Sequence, residues 1–329
     1  MNLLVISNNP DRASFRQRIE IHLGMLRQNG INCDVARLPA SSWARRRLFV
    51  QAGDFDAVLL HKKVLNFVDA FWLRKHTKRL IYDFDDAVMY SPKTPERDSS
   101  SRLRRFRRSV EAADLVIAGN IYLAEQARKY NHKVEVIPTG LDIAAYKLEG
   151  ERKPDGKVRL VWIGSKATLR YLAQIEEVLE QIGSRFEHVV LRIVCDAFLE
   201  LRSLPVEKRR WSREKEAFDL ASSDIALAPL SDDRYSRGKC GFKVLQYGAA
   251  GLPVVASPVG VNAEYVVDGL TGFHASNVSE WVDRVGKLVG SRRLRQDMGH
   301  AAGKQMSRFD VDQIGSRLIT ILKNHLSDR

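Results

Sequence analysis

Short apolar runs alternate along the first half of the chain with longer stretches whose apolar residues recur at helical spacing. The apolar runs are rich in β-branched residues, which favours strands. We predict strands at 3–7, 32–36, 56–60, 79–83, 115–118 and 134–137. Helices are predicted between them, over 15–28, 67–75, 103–113 and 122–130. Because strands separated by helices pair in parallel, this half is predicted to form one doubly wound α/β domain.

The pattern is interrupted once and then repeats. Residues 147–157 are polar, contain Gly and Pro and show no hydrophobic period, which is typical of a connector. Further strands are predicted at 159–163, 189–194, 224–228 and 253–256. The chain is therefore predicted to hold two Rossmann-like domains, at 1–147 and 158–308. Ligands of such domains bind beyond the carboxyl ends of the strands, so a cleft between the domains is the expected active site.

A last amphipathic segment lies at 311–326. In it Ile314, Leu318, Ile321 and Leu322 recur at helical spacing. The region 309–329 is therefore predicted to be a C-terminal helix, and we expect it to pack back on the first domain.

Length, cysteine usage and charge narrow the class of protein. At 329 residues the chain exceeds the usual size of a single domain. No apolar run approaches the roughly 20 residues that span a bilayer, so a cytoplasmic protein is expected, with peripheral attachment to the inner face of the membrane as an option. Cys33, Cys195 and Cys240 lie far apart and fit neither a disulfide framework nor a zinc site. The net charge of +13 indicates an anionic partner.

The densest chemical signal is a loop rich in glycine and lysine at 237–243, which opens a short predicted helix. It contains Lys239, Gly241, Phe242 and Lys243. Such a loop offers backbone N–H groups and the positive end of a helix dipole to an anion, and the lysines add full charges. The pattern predicts a phosphate site. Taken alone, a solvated loop with incidental lysines explains it better, because short motifs also match by chance.

The sequence around this loop adds a longer pattern. It holds, in order, Gly251-Leu-Pro253-Val-Val255, Gly260, Glu264, Asp268-Gly269 and Gly272. This order resembles the retaining glycosyltransferase family four, or glycosyl transferases group 1, whose members have the GT-B fold. The family carries two glutamates ahead of the pattern, and Gly238 and Gln246 stand at their positions here. The chain resembles a bacterial branch of the family with a Gly-Phe-Lys variant.

The resemblance assigns donor-binding roles to residues of the second domain. Gln246 is expected to bond a ribose hydroxyl, because its amide both donates and accepts, although it adds no negative charge. Gly164, Ser165, Thr168 and Arg170 match the first strand and glycine turn of the family's donor domain. Ser165 and Thr168 are expected to bond phosphate oxygens there. Without the resemblance, capping of the following helix is the simpler interpretation.

The resemblance also implies an activity. Members transfer a sugar from a nucleotide-diphosphate sugar to an acceptor hydroxyl with retention, and a glycan, a lipid-linked acceptor or a polysaccharide precursor is the expected acceptor. The implied fold has two doubly wound domains that face each other across a cleft. Lys243, Lys239 and the helix start at Gly241 are the expected stabilisers of the leaving diphosphate. The sugar nucleotide is a substrate, and no cofactor or metal is implied.

A cluster of carboxylates, Asp83-Phe-Asp85-Asp86, ends a predicted strand of the first domain. Family members often have a histidine near this point, and Asp85 and Asp86 are candidates for its catalytic role at the acceptor hydroxyl or the sugar ring. A cluster that only caps the following loop is an equal alternative. The residues also match the DxD motif of a metal-dependent transferase fold. We favour a site without metal, because a second domain with lysines makes the ion unnecessary.

Basic residues of the first domain form the expected acceptor or membrane side. Arginines crowd one predicted helix and a second run: Arg102, Arg104, Arg105, Arg107 and Arg108, and Arg45 to Arg47. Among them Arg104, Arg105 and Arg108 are candidates for binding an anionic acceptor or membrane surface, since arginines without interleaved acids repel one another. A solvated helix face is the ordinary alternative, and nucleic acid is the least favoured partner.

Three more candidates for this side follow predicted strands: Arg16, Arg18 and His61. Arg16 and Arg18 are expected to bind acceptor phosphate or to cover the helix, and His61 is expected to reach the cleft or to be structural. The rival from another class is a basic binding protein that kept the scaffold without the activity.

Overall fold

The computed structural model describes residues 1–147 and 155–327. Most of the connector predicted at 147–157 therefore lies outside the described residues. The chain forms two compact units, and each draws on separate stretches of sequence. The first unit comprises Met1–Gly140, Asp233–Cys240 and Phe309–Arg329, and the second comprises Leu141–Asp232 and Gly241–Arg308.

The first unit contains a six-stranded parallel sheet. Its strands are β1 Asn2–Ser7, β2 Asn32–Arg37, β3 Ala57–His61, β4 Leu80–Phe84, β5 Leu115–Ala118 and β6 Val134–Val136. Their order across the sheet is β2-β1-β3-β4-β5-β6. The helices between them are α1 Ala13–Phe15, α2 Ile21–Gln28, α3 Ser42–Gln51, α4 Phe67–His76, α5 Ser100–Ala112 and α6 Ile121–Arg128. A π-helical stretch, Arg16–Glu20, joins α1 to α2.

The second unit contains another six-stranded parallel sheet. Its strands are β7 Val158–Ile163, β8 Val189–Val194, β9 Val206–Arg209, β10 Ile225–Ala228, β11 Val254–Ala256 and β12 Gly272–His274. Their order is β12-β11-β10-β7-β8-β9. The helices are α7 Leu169–Ala173, α8 Glu176–Arg185, α9 Arg213–Ala221, α10 Phe242–Ala249, α11 Asn262–Tyr265, α12 Val278–Gly290 and α13 Arg292–Met306. The last helix of the chain, α14 Val311–Ser327, belongs to the first unit.

The parallel sheets and their helices confirm the α/β prediction. Two strands of the second sheet were missed, for a physical reason. Strand β9 reads Val-Glu-Lys-Arg and ends exposed at the edge of the sheet, so it has no apolar run to signal it. Strand β12 has only three residues and begins at Gly272, which contributes no side chain to a hydrophobic pattern.

The central strands of the first sheet, β1, β3, β4 and β5, are buried on both faces, which explains their continuous apolar runs, whereas the edge strand β2 is mostly exposed. Phe49, Leu73 and Phe106 pack on one face, from α3, α4 and α5. On the other face Ile19 packs with Leu322 of α14, which lies against α2. Strands β1, β3 and β4 are aligned so that Ser7, His61 and Asp83 are neighbours in register. Polar residues at these strand ends therefore meet along one edge of the sheet.

Among the helices of residues 1–147 and 155–327, none is both long enough and apolar enough to cross a bilayer.

His22 of α2 is an ionisable group buried where α2 packs against α14. Its ring is 2% exposed, and a Cβ at Gly140 or at Gly315 would lie 3.2 Å from it. Burial, followed by the charge of Arg18, lowers the pKa of His22 to about 4. The folded protein therefore holds His22 neutral at pH values at which the unfolded chain already binds a proton.

Stability is expected to fall as the pH is lowered from about 6.5 to about 4, because in that window the unfolded state binds more protons at His22. The loss from this one group is about 3 kcal/mol in the free energy of unfolding. Urea unfolding of His22→Gln at several pH values should show a shallower acid slope than the wild type. The exposed His132→Gln serves as the control and should keep the wild-type slope. Equal slopes for all three proteins would contradict the assignment.

Candidate active site

The start of α10 is built by backbone packing in the second unit. Gly241 precedes the helix with φ +61°, a conformation that favours glycine. A Cβ at this position would lie 2.7 Å from Val261 Cγ2 and 2.9 Å from Tyr265 Cδ2. Within the described part of the chain no side chain caps this helix. The positive end of α10 is thus formed by main chain alone, an arrangement that suits an anion.

Lys243 lies in the first turn of α10, next to Phe242, which is half-buried. The Lys243 Nζ is 3.9 Å from the ring centroid of Trp162, a buried residue of β7. The ring also explains Gly164, because a Cβ there would lie 2.5 Å from Trp162 Cη2. A cation over an aromatic ring is held electrostatically, so Trp162 fixes the ammonium beside the end of β7. Sequence reasoning missed Trp162, whose only signal was an aromatic residue just ahead of a glycine turn.

The turn after β7 brings Ser165 and Thr168 together. Thr168 Oγ1 accepts a hydrogen bond from Ser165 N and donates one to Ser165 O, each at 3.0 Å. The two hydroxyl oxygens are 3.3 Å apart. Arg170 donates from Nη2 to Tyr171 Oη at 3.0 Å. In this structure the Thr168 hydroxyl closes the turn and Arg170 packs along its neighbour.

Gln246 lies one turn further along α10 and is buried in a polar cluster. Its Nε2 donates to Glu216 Oε1 at 2.7 Å and to Tyr146 Oη at 3.0 Å. The Tyr146 hydroxyl also donates to Glu216 Oε1, and Trp211 Nε1 donates to Glu216 Oε2 at 2.5 Å. Burial and then the Glu216 carboxylate raise the pKa of Tyr146, which keeps its hydroxyl protonated as a donor. Glu216 thus orients the Gln246 amide so that Nε2 points toward the Glu216 carboxylate.

At the carboxyl edge of the first sheet the central group is Asp83, at the end of β4. Its carboxylate is buried and accepts from Arg18 Nη2 at 2.8 Å, and it lies 3.0 Å from His61 Nδ1. Arg18 also donates from Nη1 to the backbone oxygen of Ile137. Burial alone would raise the pKa of Asp83, but the Arg18 guanidinium holds it below its usual value. Arg18 and His61 are therefore brought together inside the unit, on one carboxylate.

Lys62 connects the next two carboxylates and was not singled out from the sequence. Its backbone has φ +59°, which is rare for a residue other than glycine and is common at functional sites. Its Nζ is 3.0 Å from Asp85 Oδ1 and forms a second ion pair with Asp86 Oδ2. Burial opposes charge on Lys62, but Asp85 and Asp86 raise its pKa above the usual value. Asp85 and Asp86 are thus joined by one cation.

Residues 233–240 belong to the first unit, so the predicted loop at 237–243 is divided between the units. Lys239 lies with its Nζ 5.3 Å from the Tyr235 ring centroid, and its backbone oxygen accepts from Asn120 Nδ2 at 3.1 Å. A Cβ at Gly238 would lie 2.6 Å from Ala87 Cβ. This packing leaves room only for a glycine at position 238, where the family that the sequence resembles has a glutamate. Lys239 and Lys243 are not brought together within one unit.

The remaining predicted residues lie on helices of the first unit. Arg16 begins the π-helical stretch and donates from Nη1 to Asp11 O at 2.6 Å. Arg104 donates to Ser100 O within α5, and Arg105 and Arg108 lie further along that helix.

Two family models match adjacent parts of the chain. Residues 2–145 match Glycosyltransferase Family 4, and residues 139–291 match Glycosyl transferases group 1. The chain is also 23% identical over 268 residues to the D-inositol 3-phosphate glycosyltransferase of Nocardia farcinica (strain IFM 10152). That match covers 69% of this chain and 57% of the relative, so the chain spans little more than half the length of this curated relative.

Solved glycosyltransferase structures share the architecture at low sequence identity. Anabaena HepE, in complex with UDP and glucose, is 18% identical with a TM-score of 0.74, over 98% of this chain and 100% of that one. Sucrose-phosphate synthase from Thermosynechococcus elongatus is 13% identical with a TM-score of 0.78, over 100% of both chains. WaaG, involved in lipopolysaccharide biosynthesis, is 14% identical with a TM-score of 0.70, over 97% and 99%. These likenesses confirm the predicted two-domain GT-B fold.

The contact between Glu216 and Gln246 can be tested by exchanging the carboxylate and the amide between the two positions. Gln246→Glu would set two carboxylates against each other, and both cannot ionise at hydrogen-bond distance. We expect this variant to lose about 1–3 kcal/mol in the free energy of unfolding at pH 7. Adding Glu216→Gln restores one amide and one carboxylate and should recover most of the loss. Urea unfolding of both single variants and the double variant measures the coupling. A double variant as unstable as the two losses added together would contradict the pairing.

Proposed function

We propose that this chain is a glycosyltransferase of the GT-B type that moves a sugar from a nucleotide-diphosphate sugar to an acceptor hydroxyl with retention of anomeric configuration. The two glycosyltransferase family models, whose matches together span residues 2–291, support sugar transfer. A sugar nucleotide as the donor is supported by HepE, whose structures were solved with UDP and with UDP-glucose. A glycan, a lipid-linked acceptor or a polysaccharide precursor is the proposed acceptor.

The observation that carries the proposal is the position of Lys243. The ammonium lies in the first turn of α10, over the Trp162 ring, at a helix start without a side-chain cap in the described chain. A leaving diphosphate develops negative charge, and fixed donors aimed at developing charge supply a large share of catalysis. Lys243 and the α10 N-terminus therefore form the proposed diphosphate site, in the part of the chain that matches group 1 transferases.

The other donor-side roles are proposed from the same helix and the turn after β7. Gln246 is held by Glu216 through Nε2, which leaves Oε1 as the amide atom suited to accept from a ribose hydroxyl. Gly164 and Ser165 are proposed to lie close to the diphosphate, with Thr168 shaping their turn. Arg170 and Lys239 are proposed as additional cations for the donor.

On the acceptor side, Asp85 and Asp86 are the proposed catalytic carboxylates. Lys62 holds both. Burial alone would raise the pKa of Asp85, but the charge of Lys62 holds it below its usual value. Ionised carboxylates accept a hydrogen bond from an acceptor hydroxyl and stabilise positive charge on a sugar ring. His61 is proposed to support this edge through Asp83.

A panel of UDP-, GDP-, ADP- and dTDP-sugars tests the proposal directly. We expect one donor to raise the melting temperature and to be consumed in the presence of a suitable acceptor, and the product anomer read by proton NMR tests retention.

Within that assay, Lys243→Ala should reduce the rate at saturating donor by roughly 10²–10³, because it removes a charge-assisted bond to the leaving group. The free energy of unfolding should fall by only about 1 kcal/mol, from the lost contact with Trp162.

Lys243→Arg is the matched control, since it keeps the charge while changing its shape, and it should retain more activity than Lys243→Ala. Wild-type turnover by Lys243→Ala would move the role to Lys239 or Arg170. An unfolded Lys243→Ala would instead make Lys243 a structural residue. Failure of every donor to bind would favour the non-catalytic binding protein.

Metal independence is the second expectation of this mechanism. Asp83 is already engaged by Arg18 and His61, and Asp85 and Asp86 share Lys62, so these carboxylates have cations of the chain's own. Transfer should continue unchanged when EDTA is added to the assay. Loss of activity in EDTA that manganese restores would assign Asp83 and Asp85 to a metal and overturn this part of the proposal.

A further inference from the structure

Large apolar side chains are exposed on two neighbouring helices of the first unit. Trp43 of α3 exposes 65% of its surface, and Phe67 and Phe71 of α4 expose 69% and 56%. Val50 and Val68 on the same helices are exposed as well. Helices α3 and α4 pack against each other. Monomeric proteins rarely leave extended apolar patches uncovered, so this one indicates a partner.

Arginines of α3 and α5 contact aromatic residues of α4 and so join the three helices into one surface. Arg46 of α3 lies with its Cζ 5.4 Å from the Trp72 ring centroid of α4. Arg108 of α5 lies 5.5 Å from the Phe67 ring centroid of α4. We define the basic-aromatic face by the residues that line it: Trp43, Arg46, Phe67, Phe71, Arg105 and Arg108.

The charge of this face is positive and largely uncompensated. Helix α3 carries three arginines and no acidic residue, and α5 carries five arginines with Glu111 as its acidic residue. The acid of α4, Asp69, is buried and is bonded by Arg45. Burial, and then the nearby charge of Arg45, lowers the pKa of Lys63, and Arg105 adds to the effect. Cations on this side of the unit therefore repel one another unless anions approach.

We propose that the basic-aromatic face docks on an anionic phospholipid surface. Tryptophan and phenylalanine insert at the boundary between headgroups and acyl chains, and arginines bind the lipid phosphates beside them. A second copy of the chain would bring two positive faces together, which charge disfavours. Single-stranded nucleic acid binds by stacking bases on aromatic faces, but an arginine already lies over the Phe67 ring and another over the Trp72 ring, which leaves less of these faces for bases. The docking reaction goes beyond sugar transfer and involves neither the proposed donor-site residues nor Asp85 and Asp86. Of the two roles expected for Arg105 and Arg108, an anionic acceptor or a membrane surface, this proposal assigns them the membrane.

Vesicle binding by the full chain tests this inference without an activity assay. The wild type should sediment with vesicles of equal parts phosphatidylcholine and phosphatidylglycerol, should not sediment with pure phosphatidylcholine, and should release as salt rises. Arg105→Gln/Arg108→Gln should weaken binding roughly tenfold or more. The matched control, Arg292→Gln/Arg293→Gln, removes two exposed arginines of α13 in the second unit and should bind like the wild type.

The aromatic residues are tested by a second pair of variants. Trp43→Ala/Phe71→Ala should leave anionic vesicles at a lower salt concentration than the wild type, whereas Phe218→Ala/Leu270→Ala, which removes exposed apolar side chains of the second unit, should be released at the wild-type concentration. The tryptophan emission of the wild type should shift to shorter wavelength with anionic vesicles, and Trp43→Phe should lose that shift. Circular dichroism melting confirms that each variant is folded.

Four results would overturn the inference. The first is no binding to anionic vesicles at low salt, and the second is equal binding to neutral and anionic vesicles. The third is equal weakening by the α13 control. The fourth is a protein that does not bind vesicles but either binds single-stranded DNA tightly and in a salt-dependent way or forms a dimer that Trp43→Ala/Phe71→Ala abolishes. The donor assays above remain interpretable in every case.

Discussion

The buried ion pair of Asp83 and Arg18 is the interaction on which the carboxyl edge of the first unit depends. An unpaired buried carboxylate costs on the order of several kcal/mol, so Asp83 is kept ionised by the guanidinium against it. Arg18 comes from the segment after β1 and also reaches the backbone of Ile137, after β6. His61 adds the end of β3. One carboxylate therefore holds together residues from distant parts of the sheet.

Next to this ion pair, Lys62 forms a second group of paired charges with Asp85 and Asp86. Lys62 directly follows His61, and its left-handed backbone accompanies a hydrogen bond from its N–H to the backbone oxygen of Asp83. Its side chain then meets Asp85 and Asp86, which follow Asp83 along the chain. A half-buried cation between two acids offsets their negative charge, and the charge of Lys62 holds the pKa of Asp85 below its usual value. The proposed acceptor chemistry thus rests on a scaffold of paired charges.

In the second unit, a cation is held at the place where the donor diphosphate is proposed to bind. The cation there is Lys243, and its ammonium lies 3.9 Å from the ring centroid of Trp162. The face of an aromatic ring attracts an ammonium electrostatically, so Trp162 helps to fix the position of this cation. Further along α10, Gln246 donates to Glu216 of α9, and this contact orients its amide. Carboxylates thus hold Arg18 and Lys62 in the first unit, and an aromatic ring lies against Lys243 in the second.

The sequence by itself determined the fold class and the location of the helix start that is proposed to bind phosphate. Parallel strands buried on both faces require apolar runs, and a helix that begins at a crowded left-handed position requires Gly241, so both leave marks in the chain. Strands β9 and β12 left no such mark. The tertiary structure alone decided which polar groups meet, as Arg18 does with Asp83 across 65 positions and Gln246 with Glu216 across 30. Strand register and helix packing set these partnerships, and hydrophobic periodicity carries no information about which distant side chains they bring within hydrogen-bond distance.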